Sequence, residues 1–305
     1  MDYIKFQTFK ASKLVTKAAK QAEYQQKNIG KEGDSQYQML KKLELSPEDH
    51  EVLIAYCKDK GIKFFSTAFD FDSIEYLHSL DLGLWKIPSG EVTNYPFLKR
   101  VAAYNDKTIL STGMCDMVDV RAAVEALYKN GLSKENLILL HCNTEYPTPF
   151  EDVNLKAMDA LRKEFGVEVG YSDHTKGIEV PIAAVALGAE MIEKHFILDR
   201  AIGGPDAAFS MTVDEFKSMV TSIRNVEKAL GAVDYPTDPS KIKGRQFSRS
   251  LYIAEDMKAG DILTEKNLRS VRPGYGLAPK YLNECLGKTI NRDLEKGERM
   301  SLEYI

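Results

Sequence analysis

Polar and titratable side chains recur in this sequence wherever a short apolar segment ends. The stretch HCNTEYPTP at 141–149 directly follows an apolar run, so hydrogen-bonding groups stand where a buried strand is expected to stop. His174 and His195 follow two further apolar segments, with Asp173 and Glu193 beside them. Two imidazoles with oxygen co-ligands suit Mn²⁺, Zn²⁺ or a similar divalent ion that leaves positions open for substrate and water. The spacing is equally compatible with two structural, hydrogen-bonded histidines.

Two lysines, Lys5 and Lys86, lie within predicted strands at positions that the alternation of side chains turns toward the interior. A buried ammonium group without a partner is costly, so an anionic ligand is the simplest explanation for both. Ammonium groups supply charge, and nearby hydroxyl and amide groups fix the orientation of a ligand. We therefore predict a pocket for a small anion, although a single lysine at a strand end is more often solvated.

The elements that must position these side chains are strands and helices in regular alternation. Seven segments are predicted as strands: 3–9, 62–67, 84–88, 107–111, 136–142, 167–170 and 190–196. Helix-capping signals stand between them, including Ser46-Pro47 before one helix and Thr212 before another. Such alternation indicates parallel strands with right-handed crossovers. Polar residues at nearly every strand end favour a (β/α)₈ barrel over an open sheet, because the functional residues of a barrel share one face.

A barrel of this type needs eight strands, and Met1 stands two residues before the first predicted strand. We therefore expect the sequence as given to lack the opening strand or to borrow a replacement. The chain is predicted to comprise a barrel domain at 1–231, a polar linker at 232–247 and a small domain at 248–305. Two D-x-x-x-G turns in the last of these, starting at Asp256 and Asp293, indicate a compact β-rich module.

Composition narrows the class of protein. The formal net charge of the 305 residues is −4, whereas a non-specific nucleic-acid binder is expected to be basic. Four widely separated cysteines without a CxxC pair argue against a disulfide framework and a zinc knuckle, and they suit a reducing cytoplasm. No apolar run approaches the roughly 20 residues of a membrane span, and the N-terminus lacks the apolar core of a signal peptide. We expect a soluble cytoplasmic protein.

Several motifs occur in a fixed order along the chain. They are KFQTFKASKL, KIPSGE, LSTGM, HCNTEYPTPFEDVNL, SDHT, EKHF and GPD, followed by RPGYG in the small domain. In this respect the whole chain resembles the bacterial sialic acid synthases, the N-acetylneuraminate synthase family, which carry a C-terminal antifreeze-like (SAF) domain. The resemblance implies a (β/α)₈ barrel plus the SAF domain, in a homodimer with swapped SAF domains.

The same resemblance implies a transferase that condenses phosphoenolpyruvate with open-chain N-acetylmannosamine, giving N-acetylneuraminate and phosphate by C–O cleavage. By motif match, phosphoenolpyruvate is expected to contact Lys5, Thr67, Lys86, Ser89, Ser111, Asn143 and Ser172. Mn²⁺ or Mg²⁺ is expected on His174 and His195, and the sugar on Gln7, Tyr146, Asp206, Phe247 and, from the partner subunit, Arg272. The expected catalytic groups are Lys86, Glu91 and Glu193, with Glu91 stabilising positive charge at C2 of the enol phosphate.

The sequence departs from the family pattern at two places. Nothing in it matches the Glu-Ile-Gly-x-Asn-His motif of the family's first strand, so we expect the chain as given to be weakly active, inactive or poorly folded unless an upstream segment is restored. Ala207 stands where the family commonly has a histidine. The alternatives that remain are a related nonulosonic acid synthase of the diacetyllegionaminate type, a metal-dependent aldolase that releases no phosphate, and an inactive truncated homologue.

Overall fold

The computed structural model describes residues 1–22, 25–26, 35–231 and 243–305. These residues fall into two compact units, Met1–Gly231 and Ala232–Ile305. Most of the predicted linker, residues 232–242, lies outside the described ranges. None of the helices in the described part of the chain is long and apolar enough to cross a membrane.

The first unit contains all seven predicted strands, and every pairing between them is parallel. The strands are β1 (Tyr3–Thr8), β2 (Lys63–Ala68), β3 (Leu84–Ile87), β4 (Lys107–Ser111), β5 (Leu137–Cys142), β6 (Glu168–Asp173) and β7 (Ile192–Lys194). Hydrogen bonds join β1 to β2 in one sheet and β3 through β7, in sequence order, in a second. Parallel neighbours in sequence order are typical of a (β/α) barrel, and the predicted fold class is confirmed.

Helices connect the strands, and two of them begin directly after the predicted capping residues Ser46 and Thr212. Within the described residues, the first unit has the helices α1 (Ala11–Leu14), α2 (Gln36–Lys41), α3 (Pro47–Asp59), α4 (Phe71–Ser79), α5 (Tyr95–Ala102), α6 (Met117–Lys129), α7 (Ala157–Phe165), α8 (Glu179–Ala186) and α9 (Val213–Leu230). Ser46 and Asp49 form a capping box at the start of α3, and Thr212 and Glu215 form one at the start of α9. Each box satisfies backbone N–H groups that the first turn leaves unpaired.

The two faces of the strands bury different sets of side chains. On the outer face, Leu110 and Leu139 belong to the large core that packs against the helices. On the inner face, Ile109, Ile138 and Leu140 form a separate apolar cluster. Because side chains alternate along a strand, the residues two positions beyond this inner cluster also face inward, closer to the carboxyl ends of the strands. They include Ser111 and Cys142, so a polar layer lies above the apolar one.

The second unit is small and β-rich, as predicted. Strands β8 (Ser250–Ile253) and β9 (Leu268–Val271) pair antiparallel, and one short helix follows, α10 (Leu282–Cys285). Both D-x-x-x-G turns place their glycine in the left-handed region, with φ of +97° at Gly260 and +89° at Gly297. A glycine accepts this conformation without the steric cost that a side chain would add.

Candidate active site

Two lysines and one glutamate meet at the inner face of the first unit. The Lys5 Nζ atom on β1 lies 3.3 Å from Glu193 Oε1, and the Lys86 Nζ atom on β3 lies 3.6 Å from Glu193 Oε2. Lys86 also donates a hydrogen bond of 2.6 Å to Ser111 Oγ, and Ser172 Oγ donates one of 3.0 Å to Glu193 Oε1. Five strands therefore contribute to one cluster, and alternation places both lysines inside as predicted.

The electrostatics of this cluster favour an anionic ligand. Lys86 is only 4% exposed. Burial lowers the pKa of its ammonium group, and the negative charge of Glu193 acts in the opposite direction without cancelling this effect. Burial acts to raise the pKa of Glu193, but the charges of Lys5 and Lys86 outweigh it and hold that pKa far below its usual range. Because two ammonium groups share one carboxylate, positive charge remains in excess, and a buried excess charge is stabilised by a counter-charge.

His174 and His195 lie side by side near these groups, with their ring centroids 5.2 Å apart. His174 Nδ1 donates a 2.7 Å hydrogen bond to the Asn143 carbonyl, which leaves Nε2 with its lone pair. Burial, aided by the neighbouring His195, lowers the pKa of His174 to about 4, so its imidazole is neutral at physiological pH. A neutral imidazole is the form that binds a metal ion. The pair therefore fits a divalent cation.

In the described part of the chain, the histidine pair has no third His, Cys, Asp or Glu side chain that would complete a ligand set. Among the described residues, no group of three or more His, Cys, Asp or Glu side chains could hold a metal ion. Glu193 is already bound by the two lysines. An ion held by two imidazoles would take its other ligands from substrate and water, which is the open arrangement that catalytic metals use.

Aromatic rings enclose the histidines. The Tyr146 ring lies 4.4 Å from that of His174, and the Phe209 ring lies 4.9 Å from that of His195, centroid to centroid. Phe209 is 2% exposed. Sequence reasoning did not identify this phenylalanine, although it stands in the segment GGPDAAFS, because an apolar residue in a loop carries no periodic signal. Its ring packs against the His195 imidazole and restricts the orientation of that ring.

Among the residues expected to bind phosphoenolpyruvate, two polar atoms are buried without a hydrogen-bond partner in the described part of the chain, Thr67 Oγ1 and Asn143 Oδ1. The amide nitrogen of Asn143 is not free, because it donates to the Asp152 carbonyl at 2.7 Å. Buried polar atoms are almost always paired, so these two are available to a polar ligand. Both residues belong to the set that the resemblance assigns to phosphoenolpyruvate.

The loop after β4 approaches the end of β5 closely, and this approach requires a glycine. A Cβ atom on Gly113 would lie 2.8 Å from Cys142 Sγ and 3.2 Å from Ser89 Oγ. The Gly113 N–H instead bonds to Cys142 Sγ at 3.1 Å. Ser89 is thereby brought to the polar end of the strands. Glu91, two residues later, accepts a 2.6 Å hydrogen bond from Asn94 Nδ2.

The remaining predicted residues lie farther out or in the other unit. Gln7 follows Lys5 by two positions on β1 and is exposed. In the second unit, Arg272 is exposed directly after β9, before a cis peptide bond to Pro273, and Phe247 is 63% exposed in a short 3₁₀ turn. Asp206 contacts His195, with 3.3 Å between its Oδ2 atom and Nδ1 of the ring.

Asp173 does not join the histidines, although it precedes His174 in the sequence. Strand β6 continues to Asp173 instead of ending at residue 170, so its carboxylate faces away from Ser172 and the inner cluster. There it accepts a 2.6 Å hydrogen bond from Lys194 Nζ, and both side chains are fully buried. This pair is structural and supports the strands that carry the site.

Replacing Lys194 by methionine is expected to destabilise the fold by about 3–5 kcal/mol, because it leaves the Asp173 carboxylate buried without a counter-charge. The double variant Asp173→Asn/Lys194→Met removes both charges and is expected to lose less. Urea denaturation of the two variants and the unsubstituted protein measures the difference. A single variant as stable as the double variant would contradict a structural role for this ion pair.

Comparison with known proteins identifies the family. The model of the NeuB family matches residues 1–235, which include every strand of the first unit. The chain belongs to the NeuB family. The model of the SAF domain matches residues 248–299, within the second unit. The resemblance drawn from the motifs is thereby confirmed for both units.

Several relatives of this chain are named as synthases of diacetyllegionaminic or pseudaminic acid. The N,N'-diacetyllegionaminic acid synthase of Campylobacter jejuni is 45% identical over 298 residues, which cover 97% of this chain and 89% of the relative. The synthase of the same name from Legionella pneumophila is 44% identical over 308 residues, which cover 100% and 86%. Among solved structures, the N-acetylneuraminic acid synthetase of Leptospira borgpetersenii in complex with citrate superposes with a TM-score of 0.68 at 30% identity, over 81% of this chain and 80% of that one.

Proposed function

We propose that the protein condenses phosphoenolpyruvate with an open-chain diacetamido hexose and releases phosphate, forming a nine-carbon 2-keto acid of the N,N'-diacetyllegionaminic acid type. The motifs alone favour N-acetylmannosamine as the acceptor and give the diacetamido sugar as the alternative. Two relatives at 44–45% identity carry the name of the alternative, whereas the sialic acid synthetase structure is 30% identical. The alternative is therefore the better supported of the two acceptors.

The observation that carries this proposal is the convergence of Lys5 and Lys86 on Glu193, beside the pair His174 and His195. Phosphoenolpyruvate bears a phosphate and a carboxylate, so it needs positive charge at two places. Lys5 and Lys86 come from different strands and supply it, and the Ser111 and Ser172 hydroxyl groups lie within hydrogen-bond distance of the same cluster. Charge and hydroxyl groups together bind and orient such an anion.

Different residues of the chain are assigned different roles in the condensation. His174 and His195 would hold Mn²⁺ or Mg²⁺, and the bound ion would supply Lewis-acid polarisation of the sugar aldehyde. C3 of phosphoenolpyruvate forms the new bond to the aldehyde carbon, and positive charge develops at C2. We assign its stabilisation to the Glu91 carboxylate, which the hydrogen bond from Asn94 orients. Water adds at C2, and the C–O bond to phosphate breaks to leave the 2-keto acid.

Burial lowers the pKa of Lys86, and the negative charge of Glu193 opposes this effect and favours the ammonium form. Glu193 holds both ammonium groups together at the inner face of the strands before substrate arrives. Thr67 Oγ1 and Asn143 Oδ1, which lack partners among the described residues, are available to the substrate.

Phosphate release tests the proposal directly. The protein is incubated with phosphoenolpyruvate, Mn²⁺ and either a diacetamido hexose or N-acetylmannosamine. We expect faster phosphate release with the diacetamido sugar. Equal or faster release with N-acetylmannosamine would overturn the assignment of the acceptor.

Condensation from pyruvate without phosphate release, with borohydride trapping of Lys5 or Lys86, would indicate an aldolase. If calorimetry also finds no binding of phosphoenolpyruvate or Mn²⁺, the protein is an inactive homologue.

We further propose that the enzyme works in the cytoplasm as a homodimer in which Arg272 reaches the sugar pocket of the partner subunit. The four cysteines, Cys57, Cys115, Cys142 and Cys285, are all free, which suits a reducing compartment. The SAF match and the exposed position of Arg272 support a role in binding for the second unit.

A further inference from the structure

We infer that Asp206 is a positioning residue for His195: its carboxylate holds the proton of that imidazole on Nδ1 and so leaves the lone pair on Nε2, the atom offered to a metal ion. The resemblance assigns Asp206 to the sugar instead. This inference rests on the proposed function, because it concerns the same pair of histidines.

The first observation is the contact itself. Asp206 Oδ2 lies 3.3 Å from Nδ1 of His195. If Nδ1 carried a lone pair, it would face the lone pairs of a carboxylate oxygen at this distance. A proton on Nδ1 turns that repulsion into attraction, and the lone pair then belongs to Nε2.

The second observation is that His174 shows the same arrangement through a different acceptor. Its Nδ1 donates to the Asn143 carbonyl, so its proton is also on Nδ1. Histidines that bind a metal ion usually donate their other N–H to a carboxylate or a backbone carbonyl, which fixes the ring and its tautomer. Here one imidazole has the carbonyl and the other has the carboxylate. Both rings are therefore prepared to offer Nε2.

The third observation is that the loop carrying Asp206 is tied to the segment that carries His195. The Met211 N–H donates to the His195 carbonyl at 2.9 Å. Ser210 Oγ donates to the Asp206 carbonyl at 2.7 Å, and Arg200 Nε donates to the Ser210 carbonyl at 3.1 Å. These bonds fix the Asp206 carbonyl and the backbone that follows it, at Ser210 and Met211. Asp206 is thus held against the ring before any substrate binds.

The loop also places the Phe209 ring against the His195 ring. The same imidazole is contacted by Asp206 at its Nδ1 atom. A fixed ring and a fixed tautomer together give one direction for the Nε2 lone pair. A residue whose only task was to grip the sugar would need no contact with His195.

The test is made without sugar, so that any effect of Asp206 on His195 is separated from an effect on sugar binding. Imidazole ¹⁵N NMR at pH 8, where free imidazole is neutral, is expected to show His195 with its proton on Nδ1. In Asp206→Ala this tautomer should give way to the one with the proton on Nε2. The affinity for Mn²⁺, measured by calorimetry, should fall by about 10–100-fold. Asp214→Ala removes an exposed carboxylate at the start of α9 and should change neither readout.

A second variant covers the case in which Asp206→Ala fails to fold. Asp206→Asn keeps the shape and one oxygen acceptor but loses the charge, and its affinity for Mn²⁺ should fall by less than that of the alanine variant while remaining below that of Asp214→Ala. An unchanged tautomer and unchanged Mn²⁺ affinity, with only a raised KM for the sugar, would overturn the inference and return Asp206 to the sugar site. An absence of Mn²⁺ binding in the unsubstituted protein would instead overturn the proposed metal and leave the tautomer of His195 as a separate result.

Discussion

Replacing Lys86 by methionine is expected to lower kcat/KM for phosphoenolpyruvate by about 10²–10³-fold, the usual effect of removing one group that stabilises developing charge in a closed site. Methionine has a similar length and suits the apolar neighbours, such as Ile109, that Lys86 meets in register on β4. The substitution removes one of two ammonium groups, so Lys5 and Glu193 then balance each other. The excess positive charge that attracts the substrate disappears.

Lys99→Met is the matched control, since Lys99 is exposed on α5, a helix whose buried residues pack in the core on the outer face of the strands. Steady-state phosphate release gives kcat/KM, and calorimetry gives the affinity for phosphoenolpyruvate. We expect both to fall in Lys86→Met and neither to change in the control. A loss in Lys86→Met no larger than that of Lys99→Met would show that the anion binds elsewhere.

The double variant His174→Ala/His195→Ala is expected to lose metal-dependent turnover by about 10³-fold or more, because Lewis-acid stabilisation is worth several kcal/mol in the transition state. Binding of Mn²⁺, followed by electron paramagnetic resonance, should disappear with it. Calorimetry should still detect phosphoenolpyruvate, since Lys5 and Lys86 remain.

His78→Ala serves as the control for this variant. His78 is exposed on α4, where its ring stacks on Tyr104 at 3.8 Å, and it should affect neither Mn²⁺ binding nor turnover. Metal-dependent activity that survives in the double variant would reject both histidines as the metal site.

The strands and the inward direction of Lys5, Lys86 and Glu193 follow from the sequence because alternation has a period of two. Once the apolar segments are recognised, the side of each residue is determined. The same rule fails where a strand end is misplaced. Strand β6 reaches Asp173, so the outward position of that carboxylate and its pairing with Lys194 could not be predicted from a strand ending at residue 170.

Loops are harder to predict, because no periodic pattern relates their residues to a neighbour. The segment GGPDAAFS identifies Asp206 as polar and conspicuous, but nothing in it says that the carboxylate turns toward His195. The contact of Phe209 with the same ring also could not be predicted from the sequence. The 2.7 Å bond from Asn143 to the Asp152 carbonyl likewise depends on how the loop after β5 folds back.

A crystal structure with Mn²⁺ and phosphoenolpyruvate, with the metal located by anomalous scattering, tests most directly whether one cavity serves both ligands. We expect a single ion bonded to Nε2 of His174 and His195, and phosphoenolpyruvate beside it with its charged groups on Lys5 and Lys86. An ion bound away from the histidines, or phosphoenolpyruvate bound away from both lysines, would contradict the proposed function.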